Sequence, residues 1–206
     1  IAEVNAIESF DTVKTMSREE AIEKGLYHVI GKEIDDLYME ALKKQVVYPQ
    51  MIEDHADEIN IVYTPLHGTG NMPVRRVLKE LGFNNVFVVE EQETPDGNFP
   101  TVSYPNPEDA KAFALALKLA REKKADIVMA TDPDADRLGI YVYDKKTDDY
   151  IAFTGNMTGM LICEYLLSQK KELGTLAKDG ALIKTIVSTN MADKIAEYYG
   201  VRLIEC

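Results

Sequence analysis

The sequence predicts an α/β fold: two adjacent three-layer α/β/α units, with helices packed on mixed sheets. Three observations carry that reading. Short runs rich in Val, Ile and Tyr alternate with stretches whose apolar residues recur at helical spacing, from residue 59 to the end of the chain. The alternation starts afresh after residue 153, which marks a second unit. A turn signal at 145–149 folds one strand back on its predecessor, so strands joined through helices share a sheet with an antiparallel pair.

Taken in order, Ser17 with Glu20 three residues on fits a capping box and Gly25 a stop, so a short connector helix is expected there. Over 32–46, Ile34, Leu37, Tyr38, Ala41 and Leu42 share a helical face. Asp35 and Asp36 come early and Lys43 and Lys44 late, as the helix dipole favours. Residues 59–63, 73–81 and 86–89 read as strand, helix and strand, a βαβ unit whose helix ends before Gly82. The stretch 91–106 holds P-D-G-N-F-P and P-N-P, too rich in Pro and Gly for regular structure, and loops this long are often functional. A helix over 108–124 leads to a strand at 126–130, an acidic loop, a strand at 138–143 and its hairpin partner at 150–153. The second unit opens at Thr154-Gly155-Asn156, where Asn156 is expected to cap a helix running to residue 168. A strand at 181–187, a helix at 191–199 and a strand at 201–204 follow.

Composition narrows the function. Of 206 residues, 46% are hydrophobic and 28% charged, an ordinary globular balance. The formal net charge of -12 argues against nucleic acid or an anionic membrane as partner, since both are bound through clustered Lys and Arg. A phosphate-bearing ligand would need local positive charge or a metal. Cys163 and Cys206 define no disulfide framework, apolar runs stop well short of the ~20 residues of a membrane helix, and no charged-then-apolar leader opens the chain. A soluble cytoplasmic protein is expected. Ile1 in first place, and Cys206 directly after a strand-like run, read as the ends of a piece cut from something longer.

The densest chemistry lies at 131–137, T-D-P-D-A-D-R, behind the apolar run 126–130. In an extended loop, residues two apart project to one side, so Asp132, Asp134 and Asp136 would converge. Three such carboxylates repel unless a cation sits among them, and an oxygen-only donor set favours Mg²⁺, Mn²⁺ or Ca²⁺ over Zn²⁺. An EF-hand is excluded, because its Gly and Glu positions hold Arg137 and Tyr143. A haloacid-dehalogenase-like phosphatase, with Asp132 as nucleophile, does not call for the third Asp and the Arg. A solvated acidic turn, or a metal or sugar-phosphate binding module without catalysis, are the plainer alternatives. Arg137 is placed either to pair with these carboxylates or to reach past them to a phosphate or sugar hydroxyl.

Other motifs have two readings each. T-P-L-H-G-T-G-N at 64–71, between strand and helix, is either a cradle of backbone N–H groups for phosphate or a tight turn ahead of a helix carrying Pro73. It has no third Gly of a dinucleotide fingerprint and no P-loop Lys. His67 is a base or a loop histidine satisfied by its neighbours. Lys184, in a strand flanked by Ile183 and Ile186, either reaches an active cleft or sits on an exposed edge. The helix face of Met157, Met160, Leu161, Tyr165 and Leu166 reads as core.

Several of these motifs together resemble the α-D-phosphohexomutases, the phosphoglucomutase/phosphomannomutase family. T-D-P-D-A-D-R-L-G at 131–139 resembles the family's metal loop. T-P-L-H-G-T-G at 64–70, P-D-G-N-F-P and P-N-P-E at 95–108 resemble signatures of its second domain, and F-T-G-N-M-T-G at 153–159 with I-K-T-I-V-S-T at 183–189 the start of its third, closest to the phosphoglucomutase/phosphopentomutase-like branch. The resemblance implies the tail of a first domain and a connector at 1–30, the second domain at 31–152 and a partial third at 153–206. It implies that Asp132, Asp134 and Asp136 bind Mg²⁺, that Arg137 lies by a phosphoserine and the sugar, and that Lys184 lies near the substrate as a second catalytic-site residue. The implied partners are a hexose phosphate and a hexose bisphosphate, with the rest of the first and third domains and a fourth domain supplied from outside this chain. No T-A-S-H-N-P serine loop, G-E-E-S-G sugar loop or R-x-S-G-T phosphate loop occurs in the sequence, so the chain alone is expected to be inactive.

Overall fold

The computed structural model describes residues 1–206, which divide into two compact units, residues 1–38 and 39–206. The first holds helices α1 (Ala2–Asn5) and α2 (Arg18–Glu23), a 3-10 turn at Phe10–Thr12, and the start of α3 (Lys32–Lys43). Ser17 caps α2 as its position predicts, its hydroxyl accepting from the Glu20 N–H at 3.1 Å. None of residues 1–38 is buried, so this unit has no core of its own.

The second unit continues with α4 (Pro49–His55), β1 (Ile61–Thr64), α5 (Asn71–Glu80), β2 (Val86–Val88), α6 (Ala114–Lys123), β3 (Ile127–Thr131), β4 (Leu138–Asp144) and β5 (Asp149–Phe153). These five strands form one sheet in the order β2-β1-β3-β4-β5. β1 runs parallel to both neighbours, while β3, β4 and β5 pair antiparallel, giving the mixed sheet expected from the hairpin signal. All four residues of β1 are buried, as befits a strand covered on both faces. Val62 pairs with Val128, and this face meets Phe113, Ala116 and Ala120 in the main apolar cluster. The small side chains of α6 let the helix approach the sheet closely.

Helix α4 has no counterpart in the sequence reading. Its segment lacks a helical apolar period, and its visible start signal is a Pro in the first turn behind Tyr48. The expected helix over 108–124 instead begins as a 3-10 turn, Ala110–Phe113, capped by Asp109, whose side chain accepts from the Lys111 N–H at 2.9 Å.

The chain proceeds through α7 (Gly155–Glu172), β6 (Ala181–Lys184), α8 (Met191–Tyr199) and β7 (Arg202–Glu205), with β6 and β7 forming a separate parallel pair. The antiparallel pairing thus belongs wholly to the first sheet. Three expectations need correction here. Thr154, not Asn156, caps α7, its hydroxyl accepting from the Met157 N–H at 3.2 Å, while Asn156 Oδ1 accepts from the Thr189 N–H at 2.9 Å. An Asn inside the first turn is free to serve a loop instead. The expected strand 181–187 stops at Lys184, leaving Ile186 and Val187 exposed. The helix face read as core is largely open: Met157, Leu161 and Tyr165 are exposed, and Cys163 is the buried residue of α7. Apolar spacing marks a face, but a sheet of only two strands does not cover it; Met157, Met160 and Leu161 line a groove of ≈ 500 Å³ with Phe153, Met191 and Ile195.

Candidate metal centre

β3 is the innermost antiparallel-paired strand of the first sheet, and it ends at Thr131 against Leu138 of β4. Between them the chain must reverse in six residues. It does so by a turn in which the Ala135 N–H donates to the Asp132 carbonyl at 3.0 Å, with Ala135 left-handed at φ 59°. Pro133 occupies the second turn position, where its restricted φ fits. The sequence reading assumed an extended loop with side chains alternating. The three carboxylates are brought together by this turn instead, and one oxygen from each of Asp132, Asp134 and Asp136 lies within 4.8 Å of the others.

Their environments differ. Asp132 is 1% exposed; its Oδ1 accepts from the Arg137 backbone N–H at 3.0 Å and its Oδ2 from the Arg137 Nε–H at 2.8 Å. Asp134 and Asp136 face solvent. Burial pushes the Asp132 carboxyl up, yet the two Arg137 hydrogen bonds, the hydrogen bond with Asp136 and the Arg137 charge together hold the group below the usual carboxylate range. Asp136 moves the other way, raised by its hydrogen bond to Asp132 and by the charges of Asp134 and Asp132. Two carboxyls pushed apart in this manner share one site that is short of positive charge. Oxygen donors alone, two of the three carboxylates exposed, suit a hard divalent cation, and Asp132 keeps lone pairs beyond the two that Arg137 occupies.

Arg137 therefore has the internal pairing that adjacency to the acidic residues suggests. Its Nε also lies 3.6 Å from Asp136 Oδ1, and its side chain remains 45% exposed. Asp132 holds the guanidinium protonated. Only one of its five N–H donors is spent on Asp132, so it can hold the carboxylate and bind an anion together.

The remaining singled-out residues are placed elsewhere. Lys184 lies on the second sheet and is buried, its ammonium donating to Asn190 Oδ1 at 3.0 Å and pairing with Asp193 at 2.9 Å and Glu205 at 3.0 Å. It is thus neither an exposed edge lysine nor open to a cleft in this arrangement. His67 is 5% exposed and backbone-strained at φ 62°. Its Nδ1–H donates to the Thr94 carbonyl at 3.0 Å, and Nε2 meets the Thr101 hydroxyl at 2.8 Å. Thr101 also accepts from the Gln92 side-chain amide at 3.0 Å, and Gln92 Oε1 accepts from the Thr64 hydroxyl at 2.6 Å. This hydrogen-bonded chain ties the long loop at 93–106 to the end of β1, so both ring nitrogens serve structure.

Sequence reasoning missed the groups that touch the acidic loop from the side. Tyr63 and Thr131 share a buried hydroxyl–hydroxyl hydrogen bond of 2.8 Å, and burial keeps the Tyr63 phenol above its usual range and neutral. Gly68 lies against the backbone of Pro133. The G-T-G spacing at 68–70 was the available signal, since a Gly beside a buried strand marks close approach of another backbone.

Comparison with known proteins agrees with this architecture. The family model for the phosphoglucomutase/phosphomannomutase α/β/α domain II matches residues 36–145. The chain is 33% identical to a phosphoglucomutase of Staphylococcus saprophyticus over 193 residues, covering 94% of this chain and 33% of that protein. It is 35% identical to a phosphomannomutase of Mycoplasma pneumoniae over 163 residues, covering 79% and 28% respectively. The chain thus spans about a third of the length of these curated relatives. In fold it is similar to a phosphoglucomutase/phosphomannomutase family protein of Burkholderia thailandensis, with TM-score 0.55 at 21% identity over 86% of this chain and 39% of that one. On the match over residues 36–145, the chain belongs to the phosphoglucomutase/phosphomannomutase family.

Proposed function

We propose that this chain is part of a Mg²⁺-dependent sugar-phosphate mutase that moves a phosphoryl group between the 1 and 6 positions of a hexose. An enzyme phosphoserine and a hexose bisphosphate intermediate carry the transfer. The observation that supports it is the convergence of Asp132, Asp134 and Asp136 within 4.8 Å on a loop rooted in a buried strand, in a chain of this family. These three side chains would hold Mg²⁺. When bound, the ion would neutralise charge developing on the phosphoryl oxygens. Arg137 holds Asp132 in place and keeps further donors for the phosphoryl group or the sugar. The phosphoserine, the sugar-reading loop and the remaining domains belong to other parts of the protein, with 1–30, 31–152 and 153–206 as the tail of a first domain, a second and part of a third.

For Lys184, three occupied acceptors favour a strut between β6, β7 and α8 over contact with substrate, which would require it to leave Asp193, Glu205 and Asn190. The phosphatase alternative is disfavoured because Asp132, its required nucleophile, is buried with both oxygens engaged. No helix is long and apolar enough to cross a membrane, and we assign the enzyme to the cytoplasm.

The test is a coupled glucose 1-phosphate assay together with calorimetric Mg²⁺ titration of the chain and its Asp134→Asn variant. The expected outcome is no turnover by the chain alone, with Mg²⁺ binding weak and lost in the variant. Turnover by the isolated chain, or acid-labile phosphoaspartate at Asp132, overturns the proposal.

A further inference from the structure

We propose that the loop at 65–70, between β1 and α5, is the positioning element of the acidic loop, holding it so that Asp132, Asp134 and Asp136 converge on a divalent cation. This rests on the metal reading above and assigns a new role to residues that otherwise read as a phosphate cradle or a plain turn.

The contacts, with one from Tyr63 at the end of β1, fall on the residues that alternate with the carboxylates. Thr131 is held by the Tyr63 hydroxyl at 2.8 Å. The Pro133 carbonyl accepts from both the backbone N–H of Thr69 at 2.8 Å and its hydroxyl at 3.1 Å. A Cβ on Gly68 would lie 2.4 Å from Pro133 Cα, and one on Gly70 would lie 2.7 Å from Thr131 Oγ1 and 3.3 Å from Ala135 Cβ. Residues 131, 133 and 135 are thus touched from one side, and 132, 134 and 136 are left to bind.

The supporting loop is itself fixed. Leu66 and His67 are consecutive left-handed residues at φ 47° and 62°, a costly conformation that persists only where surroundings impose it. The Leu66 N–H donates to the Thr64 hydroxyl at 3.1 Å, the His67 N–H to the Gln92 carbonyl at 2.9 Å and the Gly68 N–H to the Pro65 carbonyl at 2.8 Å. With the Thr69 N–H on Pro133, four successive amides are spent inside the protein, which removes them from any phosphate cradle. A loop whose ligands are already gathered pays less conformational entropy when the cation arrives.

Thr69→Val and Gly68→Ala test this, with Gly155→Ala as control because a Cβ there meets nothing within 4 Å. Thr69 is exposed, so its variant keeps the fold if Gly68→Ala does not. Two readouts are taken: amide exchange at Ala135 and Arg137 in the metal-free chain, and the Mn²⁺ concentration that broadens the resonances of 134–137 when the ion is titrated in. Loss of the one hydroxyl bond in Thr69→Val should speed that exchange and raise the Mn²⁺ midpoint about fivefold. Gly68→Ala should do more, and both should leave β1 and β3 amides protected. Unchanged exchange and midpoint in both variants overturn the inference. Loss of Mn²⁺ binding in Asp134→Asn alongside that result leaves the metal reading standing. Wild-type broadening in Asp134→Asn, or none in the wild type, removes the metal reading and the inference with it.

Discussion

Gly139, two residues past Arg137, offers a sharp test of how the acidic loop is seated. It pairs with Ala130 across the sheet, and a Cβ built on it would lie 2.3 Å from the Pro107 carbonyl oxygen, 2.8 Å from Pro107 Cβ and 2.9 Å from Phe113 Cζ. The first distance falls more than an ångström short of ordinary van der Waals separation. Phe113 is fully buried and tilted against Tyr141 at 4.6 Å, so neither the ring nor the Pro107 backbone can yield without moving the strand or the loop. Overpacking of a rigid core costs roughly 1–3 kcal/mol, and with backbone on one side of the clash Gly139→Ala belongs at the upper end, about 3 kcal/mol. For a unit of this size that corresponds to a fall in Tm of roughly 6–12 °C. Urea and thermal unfolding of Gly139→Ala beside Gly155→Ala check it, since Gly155 has open space and its variant should stay within about 0.5 kcal/mol of wild type. A Gly139→Ala protein as stable as Gly155→Ala would refute the close approach of the 105–107 loop to β4.

Three further outcomes follow from the same geometry. Thr154→Ala should cost about 1 kcal/mol by removing the α7 cap, whereas Asn156→Ser should leave the helix start intact; circular dichroism melts of both variants separate the assignments. Asp132 has a folded pKa below its unfolded one, so it adds stability above the usual carboxylate range that is lost as pH falls through the folded value; urea melts from about pH 7 to about pH 3 should show a shallower acid loss in Asp132→Asn than in wild type. Lys184 is raised by its pairing with Asp193 and Glu205, so its contribution persists up to the ordinary lysine value of about 10.4 and is lost as pH rises through the folded value. Lys184→Gln should unfold at lower temperature at neutral pH and lack that alkaline loss, and an unchanged alkaline limb would contradict the strut.

Much of the first sheet was legible because its strands are continuous apolar runs flanked by turn residues. β1 and β3, the strands that carry the supporting and the acidic loops, lie within a residue or two of expectation. Elements whose signals are local but ambiguous were misread. Thr154 and Asn156 are both good caps; the helix starts directly after Thr154, and Asn156 is spent on the distant Thr189 N–H instead. The Met157 face has a core-like period, yet burial depends on which strands cover it. The strand ending at Lys184 was expected to continue because Ile186 and Val187 favour strands, but β7 pairs only as far as Lys184.

The sequence by itself determined the α/β class, the family and the three carboxylates, because these are carried by residue identity and short-range spacing. Only the tertiary structure decided how the carboxylates meet. The turn at Ala135, the hold of Tyr63 on Thr131 and of Thr69 on Pro133 from more than sixty residues earlier, and the pairing of Arg137 with buried Asp132 depend on where distant segments are packed. Electrostatic and steric interactions act over a few ångströms of space, and linear spacing reports that distance only within a single element.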